Sequence, residues 1–224
     1  MDHDFVRREE PRLLAELTEF LAIPSISTGT AHVADCRRAA QWLVDQLFRL
    51  GCPTVQLIEG DGHPVVWGES PKVEGAPTLL IYGHYDVQPP DPLDEWHTPP
   101  FVPSIRDGRL YARGAIDDKG QVFCLLKAYE AVRDADGNPP LNVHFLFEGE
   151  EEYGSESLYR WIEDNRDRLG ADVAIISDTG YFEGNIPAIT VGLRGIMYAQ
   201  IDVVLSPVDL HSGMYGGTVD NPAN

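Results

Sequence analysis

Residues 78–86 read TLLIYGHYD, a run of apolar and β-branched side chains that ends in His84 and Asp86. Such a run, set off by glycine, proline and polar residues, predicts a buried strand. Side chains on a strand alternate between faces, so His84 and Asp86, two apart, point the same way. A neutral imidazole is a good ligand for zinc-like ions, and a nearby carboxylate can accept its other N–H. A turn histidine beside a capping aspartate explains this pair alone equally well, so its meaning depends on the surrounding chain.

Upstream, Leu13, Leu14, Leu17, Phe20 and Leu21 recur at helical spacing and predict a helix over 9–22 that closes near Pro24. A second helix is expected from Val33 to Leu50, ended by Gly51 and Pro53. TVQLIE (54–59) and PVVWGES (64–70) read as strands. Downstream, QPPDPLDEWHTPPFVPS (88–104) holds too much proline for regular structure, and so long a loop is usually functional or lid-like.

SIRDGRLYARG (104–114) reads as a hairpin turning at Asp107–Gly108. A helix follows over 118–135, with Val122, Leu125, Leu126, Tyr129 and Val132 on one face. LNVHFLFEGEEE (141–152) is a strand running into acid, SESLYRWIEDNRDRL (155–169) is helical, and DVAIISDTG (172–180) is another strand. This alternation predicts an α/β sheet with helices on both faces. After Asp178 the texture changes to PAITVGLRGIMYAQIDVVL (187–205), β-branched and apolar, and then SPVDLHSGMYGG. A domain boundary is expected near residue 190, with a second unit that is cut off soon after it starts.

The 224 residues are 43% hydrophobic and 24% charged, enough apolar material for a substantial core and too much for a disordered chain. Lys plus Arg number 17 against 36 Asp plus Glu, a formal charge of −19 that repels phosphate backbones and anionic lipid. No nucleic-acid or membrane partner is therefore expected, and no run reaches the ~18 apolar residues of a membrane helix. Cys36, Cys52 and Cys124 form no CxxC pair, which argues against a disulfide framework and for reduced thiols in the cytoplasm.

Several carboxylates stand where hydrophobic runs end. Asp117 and Asp118 precede Lys119–Gly120; an N-cap with a second acid on the helix dipole accounts for them, although Gly114 and Gly120 permit a less ordinary backbone. Glu150, Glu151 and Glu152 repel one another at a strand end, as a solvated loop would allow. They would be tolerated equally if one ligated a cation and another took a proton from water. Asp178 ends a further strand. Functional groups in open α/β sheets collect beyond the carboxyl ends of strands. One histidine and several carboxylates gathered there suit zinc, manganese or cobalt, with two ions able to share a carboxylate.

GHYDVQP (83–89), WHTPPF (96–101), LYARGAIDDKG (110–120), EGEEEYGS (148–155), ISD (176–178), GLRG (192–195) and DLHSGMYGG (209–217) then resemble, in order, one family. It is the dinuclear-zinc metallopeptidases that include aminoacylase, carboxypeptidase G and carnosine dipeptidase. The resemblance runs from residue 10 onward and is nearest to the carnosine-dipeptidase-like branch. It implies a zinc-exopeptidase-like α/β catalytic domain over 1–190, a mixed sheet flanked by helices. Residues 191–224 would begin an inserted α+β lid or dimerisation domain.

By the same resemblance two divalent ions, zinc first, with manganese or cobalt as alternatives, are bound by His84, Asp117, Glu152 and Asp178. Asp117 bridges the ions, Asp86 orients His84, and a cis peptide joins Asp117 to Asp118. Glu151 is the general acid/base for hydrolysis of a dipeptide amide by a hydroxide shared between the ions, and His211 is lent to the partner's site in a homodimer. Family members return from the lid to supply another metal-binding histidine, and His3, His32, His63, His97 and His144 lie outside the motifs. Two alternatives stay open: an amidohydrolase of N-acyl amino acids in the same family, or a truncated metal-binding fragment without catalysis.

Overall fold

The computed structural model describes residues 3–182 and 186–223. The chain divides into two units, Met1–Gly180 and Tyr181–Asn224. The first is built on a mixed five-stranded sheet. Its strands are β1 (Thr54–Ile58), β2 (Val65–Glu69), β3 (Thr78–His84), β6 (Asn142–Glu148) and β7 (Val173–Ile176). Their order is β1-β2-β6-β3-β7, with β1–β2 and β2–β6 antiparallel and β6–β3 and β3–β7 parallel. A two-stranded ribbon, β4 (Ser104–Arg106) and β5 (Arg109–Tyr111), forms the expected hairpin, with Asp107 and Gly108 at φ 49° and 72°.

Period-two alternation decides which residues face which layer. Val143, Phe145 and Phe147 of β6 join Val66 and Ile81 in a core that also takes Phe20 of α1 (His3–Leu21), Leu43 and Leu47 of α2 (Val33–Arg49), and Val122 and Leu126 of α3 (Lys119–Asp136). On the opposite face Leu146 packs with Val65, Trp67, Leu158 and Trp161, the last two from α4 (Glu156–Asp164). Helices thus cover both faces, and β6 in the middle of the sheet is largely buried, while β7 at its edge stays exposed.

Helix α1 begins at His3, six residues ahead of the sequence expectation, and carries Pro11 inside it. Its extra turns are held by Phe5, buried in the main core. The expected helix over 155–169 divides at Asn165 into α4 and a short α5 (Arg166–Leu169). Ser155 precedes α4 in a left-handed conformation. Cys36 and Cys52 are buried and Cys124 exposed, all free thiols. Among the described residues, no helix is long and apolar enough to cross a membrane.

In the second unit a short α6 (Ser212–Tyr215) follows His211, and Gly216 bridges Val219. The apolar run 187–205 forms no strand, and Ile189, Val191 and Leu193 are exposed. Strand propensity alone does not make a strand: the ladder needs a neighbour, and no described segment of this unit pairs with 187–205.

Candidate metal centre

The carboxyl ends of β3, β6 and β7 open on the same edge because these strands run parallel, with His84 opposite Glu148 in register. Helix α3 approaches this edge closely. A Cβ at Gly83 would stand 2.4 Å from Val122 Cγ2 and 2.7 Å from Asp118 Oδ2, so only glycine fits beneath the helix start. Gly120 is needed likewise, since a Cβ there would meet Ala115 O at 2.1 Å.

His84 and Asp86 are fully buried. The ring's Nδ1 lies 3.1 Å from Asp86 O and 3.3 Å from Asp86 Oδ1. Its Nε2 faces three carboxylates: Asp117 Oδ1 at 3.1 Å, Asp178 Oδ2 at 3.7 Å and Glu151 Oε2 at 4.0 Å. Among the described residues no properly directed hydrogen bond reaches Nε2. Burial disfavours the charged ring, but the carboxylates of Asp117, Asp178 and Asp86 gathered around it outweigh that and hold the histidine well above its ordinary pKa. His84, Glu151 and Asp178 offer ligand atoms within 4.8 Å of one another. An imidazole nitrogen among several carboxylate oxygens is a donor set suited to a borderline divalent cation.

Asp117 and Asp118 do not cap α3. The bond between them is cis, and no side-chain cap is made at Asp118. Asp118 Oδ2 instead accepts the backbone N–H of His84 at 3.2 Å, while Asp117 turns toward the imidazole. Burial pushes the Asp118 carboxyl up to about 7, and the His84 ring beside it draws Asp117 below the usual range.

The three glutamates separate into two roles. Glu150 is buried and accepts from His63 N at 2.8 Å, Ser157 N at 2.9 Å and Ser157 Oγ at 2.9 Å. Burial would raise its pKa, but these donors bring it below the ordinary value. It pins the loop at His63 to the first turn of α4. Glu151 and Glu152 lie in the 3-10 turn Glu151–Tyr153, and burial raises both. Glu151 points at His84, whereas Glu152 is held by Gln88 and lies outside the His84–Glu151–Asp178 group.

His211 belongs to the second unit, where its Nδ1 accepts the Gly213 N–H at 3.0 Å. Among the other histidines, His32 meets Asp35, His63 meets Ser27 O, and His144 packs on Trp67.

Sequence reasoning missed two buried groups beside the site. Lys119 Nζ donates to Ile23 O at 2.7 Å and Phe20 O at 3.2 Å, closing the end of α1. Glu148 Oε1 accepts from Tyr82 at 2.6 Å and Ser155 Oγ at 2.9 Å. An acid inside the apolar run NVHFLFE was the available signal for Glu148; nothing local marks Lys119 as buried.

Residues 80–222 match the profile of peptidase family M20/M25/M40, and the chain belongs to that family. It is 34% identical to the Cys-Gly metallodipeptidase dug1 of Schizosaccharomyces pombe, over 98% of this chain and 49% of that protein. It is 38% identical to the Beta-Ala-His dipeptidase of Homo sapiens, over 97% of this chain and 46% of that one. Among solved structures, human carnosine dipeptidase 1 superposes with a TM-score of 0.79 at 32% identity, covering 98% of this chain and 49% of that one. The di-peptidase Dug1p of Saccharomyces cerevisiae gives 0.81 at 27% identity, covering 97% and 49%. The chain spans about half the length of these relatives.

Proposed function

We propose that this chain carries most of the metal centre of a dipeptidase that hydrolyses its substrate's amide bond with two divalent cations. The observation that carries the reading is the convergence of Asp117, Glu151 and Asp178 on a buried His84 Nε2 that has no hydrogen bond among the described residues. A buried imidazole nitrogen so placed is a ligand position more than a structural one. The relatives named for dipeptide cleavage support the substrate class.

His84 and Asp178 would hold one ion, Glu152 the other, and Asp117 would bridge them, with zinc the first choice and manganese or cobalt as substitutes. When bound, such cations polarise the amide carbonyl and acidify water. Asp86 fixes the ring through Nδ1 and keeps Nε2 directed at the site. Glu151 takes a proton from the attacking water and returns it to the leaving amine, a task helped by its raised pKa. His211 is assigned to oxyanion stabilisation in a homodimer partner's site, and 191–224 to the start of a lid or dimerisation domain. The free thiols fit a cytoplasmic setting.

The test is hydrolysis of a dipeptide panel, beside N-acetylated amino acids, by a chain extended to the relatives' length. Cleavage of dipeptides that chelation abolishes and added zinc or manganese restores is expected. Activity unaffected by metal, or confined to the acetylated compounds, defeats the reading.

A further inference from the structure

A glutamate side chain has three soft torsions, so one that must meet a cation at a fixed point gains from a partner that restricts it. Glu152 has such partners, and both come from the chain that continues out of β3. Its backbone N–H donates to Asp86 Oδ2 at 3.2 Å. Its carboxylate Oε2 accepts from Gln88 Nε2 at 2.8 Å, and the same nitrogen lies 3.2 Å from Glu152 O.

His84, Asp86 and Gln88 stand two residues apart in turn, and the chain there is extended enough for Val87 to bridge Ile26. Side chains at that spacing share one side. Asp86 therefore works in two directions, one oxygen toward the His84 ring and the other toward the Glu152 main chain. Gln88 completes the attachment by gripping the carboxylate itself. Among the described residues no hydrogen bond is made to Glu152 Oε1.

We propose that Gln88 is a positioning residue for Glu152, holding one carboxylate oxygen so that the other is presented to a divalent cation. The chemistry of the amide matters. A neutral donor orients the carboxylate and leaves its charge intact, whereas a lysine or arginine there would form an ion pair competing with the cation. Gln88 is exposed, so the grip on Glu152 rather than core packing is its contribution. The inference rests on the metal-binding reading above.

The experiment is calorimetric titration of Zn2+ into the metal-free full chain, unsubstituted and as Gln88→Met, Glu152→Gln and the double variant. Met matches the length of Gln without the donor. Gln88→Met is expected to weaken one Zn2+ event by roughly 10–100-fold and leave the other unchanged, the usual cost of losing a group that orients a ligand. In the Glu152→Gln background it should then have no further effect on either event. Equal titration of Gln88→Met and the unsubstituted chain overturns the inference, as does a full loss that persists without Glu152. Failure of the unsubstituted chain to take up Zn2+ overturns the metal reading and this inference with it.

Discussion

The backbone N–H of His84 donates to Oδ2 of Asp118 at 3.2 Å, which ties the last residue of β3 to the residue that opens α3. The bond makes one unit of the strand that bears the imidazole and the loop that bears Asp117. It also encloses Asp118 where water cannot solvate its charge, and the ionisation of that carboxyl is thereby coupled to folding.

Asp118 has a folded-state pKa of about 7, above the roughly 4 of an unfolded aspartate. Between those values the folded chain keeps a proton that the unfolded chain has lost, so stability present below the window is lost as pH rises through it. Burial raises Glu148, Glu151 and Glu152 in the same sense. Lys119, lowered by burial to about 7, acts oppositely only at higher pH. The metal-free chain should therefore show a falling urea midpoint from pH 5 to pH 7. A midpoint that climbs across this range contradicts the assignment.

Glu151 and Glu152 are adjacent yet face different partners, His84 and Gln88. Glu151→Gln in the extended chain should retain its metal content and lose on the order of 10²–10⁴-fold in kcat. Asp117→Ala should lose metal as well as turnover. Metal analysis beside steady-state kinetics separates the two; loss of metal in Glu151→Gln would make Glu151 a ligand instead of the proton carrier.

Glu150, the first of the three acids, is a structural pin. Glu150→Ala leaves the His63 and Ser157 donors unpaired and should cost about 2–3 kcal/mol in denaturant unfolding. The exposed Glu19→Ala should stay within about 0.5 kcal/mol. Equal stability of the two variants would show that the Glu150 bonds contribute nothing.

The sheet was legible because TLLIYGH, NVHFLFE and DVAII are apolar runs of strand length, and the carboxylates after them marked the edge where groups converge. Less legible were effects that only tertiary placement decides. Nothing in EEE says which glutamate is pinned, since three identical side chains differ only in the donors that the loop at His63 and α4 bring up. Asp118 read as a helix cap because caps are local, whereas its partner is 34 residues away. The run 187–205 has strand composition but no described strand neighbour, and composition cannot supply one.

The most direct test of the proposed two-cation centre is an anomalous difference map from crystals of this chain grown with zinc. The account predicts two peaks, one bonded to His84 Nε2 and Asp178 and the other to Glu152, with Asp117 touching both. A map without peaks at this edge, or with a single peak bound by Glu151 while Glu152 stays on Gln88 alone, would contradict it.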